Sequence, residues 1–210
     1  MVGIGTKRMR QSIVAAVLLL VLSAVLLTSV GTASDPATAV FDLTERLLDQ
    51  NTDARRRWNA AAALGRIGPT AQEAVPALVK ALQDQDRQVR MQAAIALGRI
   101  GPAAKEAVPA LIKLLQDQDN FVRMRAAEAL DMMGPAAVPA LIKVLQHQDR
   151  IVRSSAAKAL GGIGPAAKEA VPALIKLLQD QNILARMSVA RALRQIDPAA
   201  LEAVNRKKGR

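Results

Sequence analysis

Downstream of residue 50 the apolar positions carry two superimposed periods. Within Asp86–Ile100, residues Val89, Ala93, Ala96, Leu97 and Ile100 fall three or four apart, the spacing that lines one face of an α-helix. Val108, Leu111, Ile112 and Leu115 repeat the pattern over a shorter stretch. The whole block then returns, with a step of 33 residues that shortens to 30 between Pro109 and Pro139. Asp53, Asp86, Asp119 and Asp149 share one column; Arg57, Arg90, Arg123, Arg153 and Arg186 share another. Pro76, Pro109, Pro139 and Pro172 form a third. Self-similarity at this period predicts one elongated array of two-helix units, each too small to bury its apolar face alone.

The punctuation of each unit supports two helices. Asp86 is the expected N-cap of the first, since a short acidic side chain accepts hydrogen bonds from free N–H groups of the first turn. Gly101-Pro102 is expected to stop it, with Gly101 left-handed and Pro102 unable to continue the ladder. Pro109 belongs in the first turn of the second helix, where its missing N–H does little harm. The spacing leaves open whether 102–106 joins that helix or forms a separate turn. Four units are predicted, at 53–83, 84–116, 117–146 and 147–179, with a partial fifth at 180–197. The third lacks three residues in its connection.

Outside the array the pattern changes. Residues 1–12 are basic, 13–27 are apolar except Ser23, and small residues follow, including Gly31-Thr32-Ala33 and Ala37-Thr38-Ala39. That sequence of regions predicts an export signal, with an uncleaved membrane anchor as the alternative. Residues 1–33 are thus assigned to a signal peptide or membrane anchor. Residues 34–52 are read as a linker and an N-terminal capping helix, helical from Val40 to Gln50. The repeats occupy 53–197, about four and a half of them, and 198–210 form a C-terminal cap and mobile basic tail. The repeats are expected outside the cytoplasm, in a periplasm, lumen or secreted; the alternative keeps them membrane-anchored on that same side.

Composition narrows the chemistry. The chain is 51% apolar but 1% aromatic, with no Tyr, which favours close-packed helices over a sheet. No Cys is present and His147 is the single His, so a thiol nucleophile, a thiolate metal site and a multi-imidazole site are excluded. No glycine-rich phosphate loop, metal-binding helix or catalytic carboxylate pair is visible, so neither cofactor nor metal is expected. The formal charge is +11; three basic residues lie in 1–33, leaving 26 basic against 18 acidic beyond it. That surplus favours an acidic protein partner. Nucleic acid is disfavoured by the shortage of stacking aromatics and by export.

Asp-x-x-x-Arg, AA-x-AL-G-x-IG and AVPALIKLL, recurring at least four times in register over 53–197, resemble HEAT repeats. They are most similar to the phycobilisome-lyase-like class of them. The resemblance implies an all-α, right-handed solenoid whose second helices line a concave, partner-holding surface. Some relatives attach or remove bilin chromophores on light-harvesting proteins; an accessory role of that kind is the alternative to a non-enzymatic, monomeric scaffold, and the export signal argues against it. The first unit departs from the pattern at Arg56, where Val89 stands in the second, and the fifth has Asn182 for Asp.

Three columns are candidates for binding. The Asp and Arg columns are expected to pair within a helix and between units, as a structural ladder. Lys80, Lys113, Lys143 and Lys176 fall between inward positions of the second helices and are expected to face outward, as a basic strip toward an acidic partner. Trp58 and Met91, followed four residues on by Ala62 and Ile95, define an outer stripe that is apolar in the first two units and polar later. It is read as an exposed patch, with Trp58 and the Met residues filling crevices between units as the alternative. His147 stands in a turn where other copies have Asp.

Overall fold

Asp86 shows how each unit begins. In the computed structural model, which describes residues 35–208, its backbone is extended and its carboxylate accepts from the N–H groups of Gln88 and Val89 at 2.8 and 3.2 Å. Asp53, Asp119, Asp149 and Asn182 cap their helices in the same way. Asp86→Ala should therefore lower stability by about 1 kcal/mol, measured as a shift in the urea midpoint at unchanged slope.

The chain divides into Met1–Ala39 and Val40–Arg210. Of the first unit only 35–39 are described, and they begin helix α1 (Pro36–Leu48). The helix thus starts at Pro36 rather than Val40. The predicted signal or anchor at 13–27 lies outside the described residues; among these no helix is long and apolar enough to cross a membrane.

In the second unit, long and short helices alternate: α2 (Ala54–Ile67), α3 (Val75–Ala81), α4 (Arg87–Ile100), α5 (Val108–Leu114), α6 (Asn120–Met132) and α7 (Val138–Val144). They continue as α8 (Arg150–Ile163), α9 (Val171–Leu177), α10 (Ile183–Ile196) and α11 (Pro198–Lys208). No strand occurs among the described residues. The architecture is an all-helical repeat solenoid. Residues 205–208, expected to be mobile tail, are the last turn of α11.

A separate 3₁₀ segment bridges each long helix to its short one, so the open question at 102–106 resolves in favour of a distinct turn, Gly101–Ala107. Gly101 stops α4 at φ 70°, ψ −140°. That is outside the left-handed helical well and close to a region that only glycine enters freely. In the third unit the missing residues shorten this segment to Gly134–Ala137.

The core lies between the long-helix and short-helix layers. Val89, Ala93, Ala96, Leu97 and Ile100 are all buried, as are Val108, Leu111 and Leu115. Successive long helices pack closely because small residues face each other: a Cβ added to Gly65 would lie 2.9 Å from Cα of Ala96, and one added to Gly98 2.9 Å from Cα of Ala129. The first unit folds despite its departure from the repeat pattern, with Arg56 exposed and Ala60, Ala61 and Leu64 buried.

Candidate functional site

The Arg column forms the ladder, with partners other than those expected. Asp86 is occupied as a cap, and Arg90 pairs instead with Asp117, in the turn before the next long helix: Nε donates to Oδ2 at 2.8 Å and Nη2 to Oδ1 at 3.2 Å. Arg57 grips Asp84 and Arg153 grips Asp180 in the same two-pronged way. Each guanidinium also ties down its own preceding turn, as Arg90 does through the carbonyls of Asp84 and Gln85. Each of these carboxylates further accepts the N–H two residues on, at 2.8 Å. The signal for these partners was present in the repeated Gln-Asp-Gln-Asp turns, which capping alone does not explain.

Electrostatics follow the geometry. Burial pushes the Asp84 carboxyl up, but hydrogen bonds from Arg57 and the Asp86 N–H outweigh it and leave the group below its ordinary range. The Arg153 hydrogen bond similarly lowers Asp180, and the hydrogen bond to Asp84 raises Arg57. These Arg–Asp pairs are held by the fold and are not free to meet a ligand.

Positions still open to a partner fall on two faces. Lys80, Lys113, Lys143 and Lys176 are all exposed on the short helices, as the spacing predicts. That face is nearly uniform from copy to copy, with an exposed Pro and Gln beside each Lys. The outer face of the long helices differs in every copy. Trp58, Met91 and Ile95 lie there half-buried, and Trp58 and Met91 pack against the core. The indole Nε1 of Trp58 is buried without a hydrogen-bond partner. Phe41 on α1, ahead of the repeats, is 64% exposed; within the repeats the apolar groups standing most clear of the surface are farther along the array. Phe121, Leu184 and Met187 are 58%, 59% and 63% exposed, and Ile151 and Ile183 accompany them. Phe121, Ile151 and Leu184 occupy one column, where the first two units have Arg55 and Gln88. Within the repeats the exposed apolar character thus grows toward the C-terminal end, opposite to the gradient expected from the Trp58 column. Met187 shares that column but sits on the last long helix, with none stacked after it.

Beside Leu184 and Met187 lies a cleft of about 640 Å³, lined also by Ser154, Ser188, Arg191 and Arg194. Exposed cations dominate the same face: Arg55, Arg66 and Arg99 near its start, Arg191 and Arg194 near its end, while Arg87 is paired with Asp119 at 2.9 Å. Glu128 and Asp131 are acids on that face. The arrangement can hold a carboxylate-bearing chain that also buries apolar side chains. Among the described residues no cluster of acids and His could hold a metal ion.

The family model for HEAT repeats matches residues 40–131, 102–161 and 138–205. No curated protein matches. Among solved structures, an engineered protein is 29% identical at a TM-score of 0.50, covering 81% of this chain and 85% of its own. The complex of CpcE and CpcF of phycocyanin lyase from Nostoc sp. is 29% identical at a TM-score of 0.54, over 85% of this chain and 70% of that one. A designed armadillo repeat protein, solved with a (KR)4 peptide, shares the fold at 20% identity and a TM-score of 0.50. It covers 80% of this chain and 88% of its own.

Proposed function

Because this chain belongs to the HEAT-repeat family, we propose that it is a non-catalytic docking scaffold whose long-helix face holds an acidic protein segment carrying apolar side chains. The observation that carries this reading is where variation falls. Most columns identical between copies are spent on caps, turns, core and ladder, the exposed Lys column and its Pro and Gln neighbours excepted. The exposed columns of the long helices change from copy to copy, are rich in Arg, and expose Phe121, Ile151, Leu184 and Met187. Binding surfaces typically centre on large apolar and Arg side chains, with charge steering the encounter. The Lys80, Lys113, Lys143 and Lys176 strip and the half-buried Trp58, Met91 and Ile95 contribute at the margins of this assignment. We place the repeats outside the cytoplasm, with the segment at 13–27 directing export or anchoring them; N-terminal sequencing of the native protein separates cleavage from anchoring.

Crosslinking in the native compartment, with the crosslinked peptides mapped, tests the face. Crosslinks should concentrate between Phe121 and Arg194 on the long helices. Leu184→Ser with Met187→Ser should weaken the partner by about 30-fold without lowering the melting temperature. Crosslinks confined to the Lys113 face, or undiminished affinity, would reject it.

A second reading rests on the similarity to the phycocyanin-lyase complex: an accessory subunit of a lyase of that kind. Chromophore transfer to an acceptor protein that requires this chain would establish it.

A further inference from the structure

Three departures from the repeat meet at a single junction, between the third and fourth units. His147 stands where Asp84, Asp117 and Asp180 accept the Arg of the preceding unit. An imidazole has no second oxygen for a forked contact and no negative charge, and its Nδ1 already accepts the Asp149 N–H at 3.0 Å. Arg123 keeps its bonds to the carbonyls of Asp117 and Gln118, but its Nε is buried with no partner. Asp131 occupies the column of Gly65, Gly98 and Gly161, the position that lets successive long helices touch. Its carboxylate fills the space beside Gly162 that a side chain there would need. The connection after α6 is the one that lacks three residues.

The packing follows. Of the four successive pairs of long helices, α6 and α8 pack least closely. A cleft of about 230 Å³ opens across α6, α8 and α10, lined by Glu128, Asp131, Lys158, Gly162, Arg191 and Gln195.

We infer that this junction is a hinge built into the array, at which the stack ending in α6 and the stack beginning at α8 part and the two bordering helices loosen, while the units farther out stay packed. In a solenoid, stability is approximately a sum of unit terms and nearest-neighbour interfaces, so the weakest interface opens first. The hinge divides the long-helix face, leaving Phe121 on the first stack and Ile151, Leu184 and Met187 on the second, so the two halves can adjust to one bound segment. It stands on the junction geometry alone, whatever the partner.

Residue-resolved hydrogen exchange on the full chain tests it. Amides of α6 and α8 should exchange through an opening on the order of tenfold or more faster than those of α2 and α4. The double variant Asp131→Gly/His147→Asp, which restores the repeat at both positions, should remove that excess. Asp117→His, which installs the defect one junction earlier, should carry the fast exchange to α4 and α6. Even protection along the wild-type array would overturn the hinge. So would an unchanged pattern in the double variant or, should that variant not fold, in Asp117→His.

Discussion

Asp84→Ala should destabilise the protein by about 3–5 kcal/mol, the largest single-residue effect expected outside the apolar core. The side chains of Arg57 and Asp84 are 9% and 2% exposed, and the pair is bonded through both prongs at 2.8 and 3.0 Å. Removing the carboxylate strands a guanidinium between two units and also frees the Asp86 N–H. Most of the loss is the uncompensated charge, so removing both charges together, as Arg57→Met/Asp84→Leu, should recover most of it. Urea denaturation at neutral pH measures all three proteins. A loss below about 1 kcal/mol, the worth of an exposed pair, would mean that water reaches the site. The sign with pH is fixed by the lowered carboxyl. Its contribution is present while pH stays above the ordinary value of 3.8 and is lost as pH falls through the lower folded value. The gap between wild type and Asp84→Ala should therefore narrow on acidification, and only below about pH 4.

Gly98→Ala should also destabilise, by about 1–2 kcal/mol, although helix propensity alone argues the reverse by about 1 kcal/mol. The added Cβ would lie 2.9 Å from Cα of Ala129 and 3.2 Å from its Cβ. Backbone cannot step aside as a flexible side chain can, so α4 and α6 must separate and give up contact along their length. Gly162→Ala is the contrast, because the atoms in its way belong to the Asp131 side chain, which can rotate. Thermal melts of the two variants compare them directly. Stabilisation by Gly98→Ala would show that the long helices have slack that the packing does not display.

Much of this structure was legible in the residues because its determinants are local. Capping by Asp86 and Asp119 depends on atoms two and three residues away, and so does the stop at Gly101-Pro102. Periodicity within Arg87–Ile100 marked the buried positions, and the 33-residue echo declared the array. The ladder is only half legible: the Arg column stands out, but spacing points to the cap Asp as its acceptor, within the helix or in the next unit, whereas the acceptor is the Asp two residues before the next unit's cap. Sequence spacing cannot choose between two carboxylates that are equally near in the chain. Only the stacking of units sets which one the guanidinium reaches 27 residues on.

The candidate surface divides along the same line. A position's periodicity says whether it faces the core of its own unit; it does not say whether a neighbouring unit covers it. Trp58 and Met91 look outward by helical phase and are half-buried by packing against the core, whereas Met187 in the same column is exposed because its helix is the last to stack. Asp131 reads as one more acidic residue until the structure places it in the glycine column of the helix contact. The residues alone declare a stack of two-helix units, the caps and glycine stops that bound its long helices, and most of the side chains that form its core; the start of α1 and the extent of α11 do not follow from them. Those choices are made by bonds and periods a few residues long. Which arginine meets which aspartate, which apolar groups stay uncovered and which junction is loose were decided by the tertiary structure, because each depends on the distance between units that are about thirty residues apart in the chain.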